Sequence, residues 1–216
     1  MLSGYRRAPW SLMLVVCLFV LGACSPRPEP LLLLPPDAVI LAFGDSLTYG
    51  TGAPAGASYP SHLARMTGLE VINAGVPGEV TTQGRARLPG LLDQYQPDLL
   101  ILIHGGNDML RRGDSEHKRQ NLEAMIFMAR ERDIQVVMAA VPTPALWRLS
   151  GAQVYQDLAD ELGVTLEGDA LAYILSRDSL KADPIHPNAE GYRILAERIH
   201  DLLREAGALW PTRVGG

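Results

Sequence analysis

The stretch that decides the expected fold of this 216-residue chain is Val39-Ile40-Leu41-Ala42-Phe43-Gly44-Asp45-Ser46-Leu47. Its first five residues are all apolar, without the alternation that marks a strand with one face in water. Such a run is typical of a strand buried on both faces, as in a parallel sheet. Gly44 permits a tight turn after the run. We therefore expect Ser46 at the mouth of the sheet, where the carboxyl ends of strands form ligand sites.

After this stretch, the chain alternates apolar runs with segments of helical spacing. The predicted strands are residues 39–43, 69–72, 98–103, 134–141 and 164–166. The predicted helices are residues 59–66, 82–95 with an interruption at Pro89, 116–132, 152–162 and 188–203. This alternation predicts an α/β fold with a mostly parallel sheet. Residues 142–147 contain two prolines, and we predict an irregular loop there.

The composition is that of one ordinary globular domain. Hydrophobic residues make up 47% of the chain and charged residues 20%, and this length suffices to bury a core. The formal net charge is −5 and becomes more negative if the arginines near the N-terminus are removed with a leader. Because an acidic chain binds nucleic acid poorly, we expect no nucleic-acid partner.

Residues 1–23 have the pattern of an export signal. Arg6 and Arg7 precede an apolar run over residues 12–21, which is too short to span a bilayer comfortably. The following Leu21-Gly22-Ala23-Cys24 resembles the end of a bacterial lipoprotein signal, which implies cleavage before Cys24 and a lipid on that cysteine. The alternative is an ordinary signal peptide or a plain membrane anchor, with Cys24 there by chance. The lipoprotein interpretation predicts an envelope protein that faces the periplasm and is attached to a membrane through Cys24.

Residues 24–37 form a predicted tether between this signal and the domain. Five prolines in that segment favour an extended chain. Ser25, rather than aspartate, follows Cys24, which favours the outer membrane by analogy with other lipoproteins. Residues 31–34 are all leucine and could either pack on the domain or touch the membrane. The folded domain is expected over residues 38–210.

Three polar clusters follow predicted strands, where a doubly wound sheet collects its ligands. Ser46 follows the first strand, with a backbone N–H that could face an oxyanion. Residues 73–78 follow the second and end in Gly78, and glycine lets backbone approach a ligand closely. Residues 104–108 follow the third and include Asn107, whose amide can donate to a developing negative charge. Read singly, each cluster is also explained by an ordinary turn.

A fourth cluster, residues 183–188, supplies a candidate base. A serine hydroxyl is a weak nucleophile until a base takes its proton, and histidine suits this task near neutral pH. Asp183 lies only three residues before His186 and can hold the imidazole in one tautomer. Pro184 and Pro187 restrict the residues before them, so one short, stiff loop presents both partners. Read alone, the segment is explained by a capped turn that opens the last helix.

The four clusters occur together and in order, and in this combination the chain resembles the GDSL, or SGNH, hydrolases. It is similar to the bacterial periplasmic thioesterase I, lysophospholipase and arylesterase group over most of residues 39–108 and again from residue 183 to about 196. The motifs that carry the resemblance are Gly44-Asp45-Ser46-Leu47, Asn73-Ala74 with Gly78, Gln83-Gly84-x-Ala86-Arg87-Leu88-Pro89, Gly105-Gly106-Asn107-Asp108 and Asp183-x-x-His186-Pro187-Asn188. Residues 109–181 match poorly, including the loop at 141–147, so no acyl-length preference is predicted.

The resemblance implies a small three-layer α/β/α sandwich with about five strands, and it implies roles for five residues. Ser46 matches the family nucleophile, His186 its base and Asp183 the carboxylate partner of that base. Gly78 and Asn107 match the oxyanion-hole residues, with the Ser46 N–H as a third donor. The implied activity is hydrolysis of acyl esters or thioesters through an acyl-enzyme on Ser46, with a small acyl ester or a lipid-like molecule as substrate.

Two other functions stay open at this point. Some members of the family deacetylate carbohydrates, and the same site would serve that reaction. A third interpretation is an envelope lipoprotein whose fold survives as a non-catalytic binding module. The other histidines, namely His62, His104, His117 and His200, lack a ligand-like arrangement, so we expect neither a metal nor another cofactor.

Overall fold

The computed structural model describes residues 30–143, 150–151 and 153–210. Within them the strands are β1 Val39–Gly44, β2 Glu70–Gly75, β3 Leu99–Ile103, β4 Gln135–Ala139, β5 Pro142–Thr143, β6 Ser150–Gly151 and β7 Thr165–Glu167. The α-helices are α1 Ser46–Tyr49, α2 Tyr59–Thr67, α3 Thr81–Tyr95, α4 Gly106–Leu110, α5 Ser115–Arg130, α6 Gln153–Leu162, α7 Ala170–Leu175 and α8 Ala189–Glu205. A turn of 3₁₀ helix covers Asp178–Leu180.

Five of the strands form one parallel sheet in the order β2-β1-β3-β4-β7. Every residue of β3 is buried, and so is every residue of β1 except Val39. These central strands are continuous apolar runs because helices cover both faces of the sheet. On one face α2 and α7 pack with α8, and on the other α3 and α6 pack with α5. The predicted α/β sandwich with a five-stranded parallel sheet is confirmed.

The strand order places a ligand crevice between β1 and β3. The chain passes from β2 on one side of β1 to β3 on the other, which makes a topological switch point at their carboxyl ends. In open α/β sheets, ligands bind at such points. Ser46 follows β1 and Asn107 follows β3, so the topology alone brings these two residues to the same crevice.

The predicted helices are present with shifted ends, and the interruption predicted at Pro89 is wrong. Helix α3 runs through that residue without a break. An interior proline costs about 3 kcal/mol. Leu88 and Leu92 of the same helix are buried in the core, and we attribute the continuity of α3 to this packing. Helix α8 begins one residue later than predicted because Asn188 is its N-cap.

The irregular loop predicted over residues 142–147 is wrong in its first two residues. Pro142–Thr143 pairs antiparallel with Ser150–Gly151. Proline is tolerated at the first residue of a strand, so the pair can form without its N–H. Residues 144–147 of that predicted loop lie outside the described residues, as does residue 152, the predicted start of the fourth helix. Three short helices of the described residues, α1, α4 and α7, were not predicted.

The leucine run at residues 31–34 packs on the domain. The N–H groups of Leu31 and Leu34 donate to carbonyl oxygens at the end of α8 and just after it, each at 2.9 Å. Leu34 is buried in the core, whereas Leu32 is 74% exposed. The predicted signal peptide, residues 1–23, and Cys24 lie outside the described residues.

This N-terminal segment lies at the amino-terminal end of the parallel strands, whereas Ser46 lies at their carboxyl end. The Leu32 N–H donates to the Gln135 side chain at 2.5 Å, and the Gln135 amide donates back to the Leu32 carbonyl at 3.0 Å. Gln135 is the first residue of β4, whereas Ser46 follows the last residue of β1, a parallel strand of the same sheet. In the described part of the chain, no helix is both long and apolar enough to cross a membrane.

Candidate active site

Ser46 stands at the tight turn between β1 and the short helix α1. At Gly44 a Cβ would overlap the Ile103 carbonyl oxygen of the neighbouring strand, so glycine is needed for this close approach. Asp45 caps α1, since its side chain accepts from the Leu47 N–H at 3.0 Å. Burial raises the pKa of Asp45. Ser46 is therefore held as the first residue of α1, partly exposed, by two buried neighbours.

The loop before α8 brings Asp183 and His186 against Ser46. His186 Nε2 lies 3.0 Å from Ser46 Oγ, and His186 Nδ1 lies 2.7 Å from Asp183 Oδ2. When Nδ1 carries the proton that is donated to the carboxylate, Nε2 is the acceptor for the Ser46 hydroxyl. The structure thus brings the Asp183–His186 pair against Ser46, which is 140 residues before His186 in sequence, in the relationship that a serine nucleophile requires.

Asp183 also shapes the loop in which it lies. Its Oδ1 accepts from the backbone N–H groups of Ile185 and His186, each at 2.9 Å. Burial acts to raise the pKa of Asp183, but hydrogen bonds from the His186 side chain and the Ile185 N–H outweigh it and lower that pKa below its usual value. The carboxylate is therefore charged at neutral pH, where it accepts the hydrogen bond from His186 Nδ1.

Asn107 points one side-chain donor at the protein and retains one for a ligand. Its Nδ2 donates to the Glu79 carbonyl oxygen at 3.0 Å. Because a primary amide carries two N–H groups, the second remains for a ligand. Asn107 lines the same cleft as Ser46 and His186.

Gly78 lies in the loop that precedes α3. Its φ is +79°, in the left-handed region that glycine adopts without strain. Its carbonyl oxygen accepts from the Arg111 side chain at 2.8 Å. Gly78 is not among the described residues that line the cleft. The next residue, Glu79, connects it to the site, because the Glu79 carbonyl oxygen accepts a hydrogen bond from the Asn107 side chain. Of the predicted oxyanion donors, Ser46 and Asn107 line the cleft, and Gly78 lies in the adjoining loop, one residue before Glu79.

The cleft itself is mainly apolar. It opens to solvent, and its cavity volume is about 40 Å³. The residues that line it are Asp45, Ser46, Leu47, Gly106, Asn107, Leu110, Val141, Pro142, Leu175, Pro184, Ile185 and His186. An apolar wall with a few convergent polar groups is typical of a small-molecule site.

Four residues that sequence reasoning did not assign to the site support it from behind. Tyr192, a wholly buried residue of α8, donates its hydroxyl to the Thr51 carbonyl at 2.8 Å, next to the turn that holds Ser46. Glu79, Arg87 and His104 form a cluster behind Asn107. The sequence contained a signal for two of them, because Arg87 belongs to a quoted motif and His104 begins the third polar cluster.

Together these groups can perform nucleophilic attack on a carbonyl carbon. A hydroxyl lies within hydrogen-bond distance of a base, the base is oriented by a carboxylate, and an amide donor faces the same cleft. This is the arrangement that acyl transfer requires.

Comparison with known sequences gives a consistent result. The sequence profile of the GDSL-like Lipase/Acylhydrolase family matches residues 42–194, from within β1 to within α8. An arylesterase from Vibrio mimicus is 33% identical over 196 residues, which are 86% of this chain and 94% of that protein. The thioesterase 1/protease 1/lysophospholipase L1 of Escherichia coli K12 is 30% identical over 169 residues, which are 73% of this chain and 79% of that protein.

Solved structures extend the likeness to the whole domain. The crystal structure of TesA superposes with a TM-score of 0.71 at 26% identity, and the alignment covers 78% of this chain and 99% of TesA. AlinE4, an SGNH-hydrolase family esterase, superposes with a TM-score of 0.61 at 33% identity. That alignment covers 79% of this chain and 96% of AlinE4.

Proposed function

The chain belongs to the GDSL-like Lipase/Acylhydrolase family and is a serine hydrolase of ester bonds, and from this premise we propose that it cleaves acyl esters or thioesters through an acyl-enzyme on Ser46. One observation carries the proposal, namely the 3.0 Å contact between Ser46 Oγ and His186 Nε2. The hydrogen bond from His186 to Asp183 completes the arrangement.

The first half-reaction forms the acyl-enzyme. Ser46 Oγ attacks the carbonyl carbon of the substrate while His186 Nε2 takes the hydroxyl proton. The carbonyl oxygen becomes an oxyanion, which accepts hydrogen bonds from Asn107 Nδ2 and from the Ser46 N–H, with the Gly78 N–H as a third donor. When the tetrahedral intermediate collapses, the bond to the alcohol or thiol breaks, and that leaving group takes the proton from His186.

The second half-reaction releases the acid. His186 removes a proton from water, and the hydroxide oxygen attacks the acyl carbon on Ser46. The same donors hold the second oxyanion. Its collapse breaks the bond to Ser46 Oγ, which recovers its proton from His186, so the enzyme returns to its starting state.

The cleft wall supports an apolar acyl group over a sugar. Leu110, Val141, Leu175 and Ile185 all line it, whereas its side-chain hydrogen-bonding groups other than the buried Asp45 are those of Ser46, Asn107 and His186. A polyhydroxylated substrate would need further hydrogen-bonding partners to replace its water. The carbohydrate deacetylase function therefore has no supporting observation among the residues that form the cleft.

A substrate panel with purified residues 25–216, beside the Ser46→Ala variant, tests the proposal. It should contain aryl esters of acetate and of longer acids, an acyl thioester, a lysophospholipid and an acetylated glycan. We expect turnover of the esters or thioesters with apolar acyl groups and none with Ser46→Ala. Turnover of the glycan alone would establish the deacetylase, and inertness toward every substrate would establish the binding module.

We further propose that the enzyme is anchored in the cell envelope by a lipid on Cys24 and faces the periplasm, with the outer membrane as its location. The support is the sequence Leu21-Gly22-Ala23-Cys24 after an apolar run, with Ser25 following. Residue 30 is six positions after Cys24. The segment that follows it packs at the amino-terminal end of the parallel strands, and Ser46 lies at their carboxyl end. An anchor there would leave the cleft directed away from the membrane.

Metabolic labelling with a fatty-acid analogue tests the anchor. The full chain should incorporate the label and fractionate with outer-membrane vesicles, and Cys24→Ser should do neither. Incorporation that persists in Cys24→Ser would contradict the proposal.

A further inference from the structure

A cluster of three charged or titratable side chains, Glu79, Arg87 and His104, lies behind Asn107, and two of the three are buried. The Glu79 carboxylate accepts from Arg87 Nε at 2.8 Å and from Arg87 Nη2 at 2.7 Å, and it contacts His104 Nε2 at 3.2 Å. Glu79 is 6% exposed and His104 is wholly buried. None of the three is among the described residues that line the cleft.

The orientation of His104 is fixed by its other ring nitrogen. The Gly105 N–H donates to His104 Nδ1 at 2.9 Å. Since Nδ1 acts as an acceptor, the ring proton of neutral His104 is on Nε2 and is donated to Glu79. The backbone of α3 approaches this ring closely, because a Cβ at Gly84 would overlap it. The cluster is therefore tightly packed, with a defined direction for each hydrogen bond.

Glu79 connects this cluster to two of the three predicted oxyanion donors, Gly78 and Asn107. It follows Gly78 directly in sequence, so the same loop holds the Gly78 N–H. Its carbonyl oxygen accepts the Asn107 side chain at 3.0 Å, which fixes the plane of that amide. The direction of the remaining Asn107 N–H is set by that plane. A movement of Glu79 would therefore misdirect a donor that the oxyanion requires.

Arg87 holds Glu79 against two strands at once, β2 and β1. Besides the carboxylate, its Nη2 donates to the Ala74 carbonyl of β2 at 3.0 Å. Its guanidinium lies 4.3 Å from the centre of the Phe43 ring of β1. His104, the third member, directly follows β3. The planar guanidinium can make these contacts together, which an ammonium group cannot.

We propose that Glu79 is a positioning residue for the oxyanion hole, held by Arg87 and His104 and acting mainly through Asn107. The inference rests on the proposed acyl transfer, since it assigns a supporting residue to that reaction. Apolar side chains of similar volume can often replace a buried ion pair without loss of stability, so stability alone does not account for this cluster. A cluster of this kind fits a role in fixing geometry better than a role in holding the fold together.

The test compares Glu79→Gln with wild type, using Asp93→Asn as the matched control. Asp93 also pairs with an arginine, at 3.0 Å, but at the exposed end of α3 away from the cleft. Rates should be divided by the number of Ser46 sites that a fluorophosphonate labels, so that unfolded protein is not counted. We expect kcat per site to fall about 10–100-fold in Glu79→Gln, within the loss that follows removal of a whole donor. KM should change little, and Asp93→Asn should match wild type.

Two further readouts separate positioning from a merely structural role. A boronic acid that forms a tetrahedral adduct on Ser46 should bind Glu79→Gln more weakly, by a factor close to the loss in kcat/KM. In an Asn107→Ala background, Glu79→Gln should lower kcat per labelled site by less than about threefold, because the donor that Glu79 orients is already absent. If Glu79→Gln does not fold, Arg87→Lys is compared in the same assays, with the same expectations.

The outcomes are distinct. An unchanged kcat per labelled site, or the same fold loss in both backgrounds, would overturn the positioning role. A wild type that is inert toward all esters and is not labelled would instead overturn the proposed function. The two failures are therefore distinguishable in one set of measurements.

Discussion

His186 Nε2 lies 3.0 Å from Ser46 Oγ, although 140 residues separate the two in sequence. Two elements far apart in sequence set this distance, namely the turn after β1 and the loop before α8. Asp183 determines which nitrogen of His186 faces Ser46, through its 2.7 Å contact to Nδ1.

Asp183→Asn should leave the fold intact and slow turnover. The amide would donate to Nδ1 instead of accepting from it, so the imidazole would present a protonated Nε2 to Ser46. We expect kcat to fall by about 10³–10⁴-fold, measured on an activated aryl ester. Asp178→Asn is the matched control, because Asp178 is a fully exposed acid with its own ion pair to Lys181 in the same region. Equal activity of the two variants would contradict the role of Asp183.

Asn107→Ala should lose about 10²–10³ in kcat while KM changes less, as expected when an oxyanion donor is removed. The same substitution removes a hydrogen bond to the Glu79 carbonyl, which should cost about 1 kcal/mol of stability. Steady-state kinetics and urea unfolding measure the two effects separately. Near-normal turnover would show that Asn107 is not an oxyanion donor.

Leu110→Ala should weaken turnover of longer acyl esters without affecting acetyl esters. Leu110 lines the cleft and is 46% exposed, so its loss should not disturb the core. Removing most of its apolar contact with a longer chain should lower kcat/KM about 3–10-fold, in line with about 0.8 kcal/mol per buried methylene. Phe127→Ala, which alters an exposed side chain on α5, is the control. An equal loss on acetyl and longer esters would place Leu110 outside the acyl path.

The free energy of unfolding should depend on pH through the Glu79 carboxylate. Burial acts to raise the pKa of Glu79, but hydrogen bonds from His104 and Arg87 lower it to about 2, from an ordinary value of 4.5. Because the unfolded chain binds the proton more readily, this stabilisation is fully present above the unfolded pKa and is lost as pH falls toward the folded one. The difference in unfolding free energy between wild type and Glu79→Gln should therefore be smaller at pH 3 than at pH 6. A difference independent of pH would contradict the assignment.

The parts of the fold that sequence predicts are those with a repeating physical pattern. Strands β1 and β3 are buried on both faces, and that burial leaves continuous apolar runs in the sequence. Helix α7 spans only six residues, too few for a helical period to show. The pairing of Pro142–Thr143 with Ser150–Gly151 has no local pattern at all, because each partner is two residues long.

The same distinction applies to the site. Ser46, Asp183, His186 and Asn107 follow strands or precede a helix within short motifs, so their positions could be predicted from the sequence. Glu79 resembles an ordinary surface charge in sequence, and only the structure reveals that it is buried between Arg87 and His104. The sequence does not reveal the role of the Tyr192 hydroxyl for a related reason. The Tyr192 ring occupies a regular position on the apolar face of α8, so the residue resembles an ordinary core residue.

The most direct test of the account is to locate the covalent adduct. Purified enzyme is treated with a fluorophosphonate, digested and analysed by mass spectrometry, beside Ser46→Ala measured for both labelling and ester turnover. The account predicts one adduct, on the peptide that contains Ser46, and a variant that is folded, unlabelled and inactive. An adduct on another residue, or turnover that persists in Ser46→Ala, would contradict it.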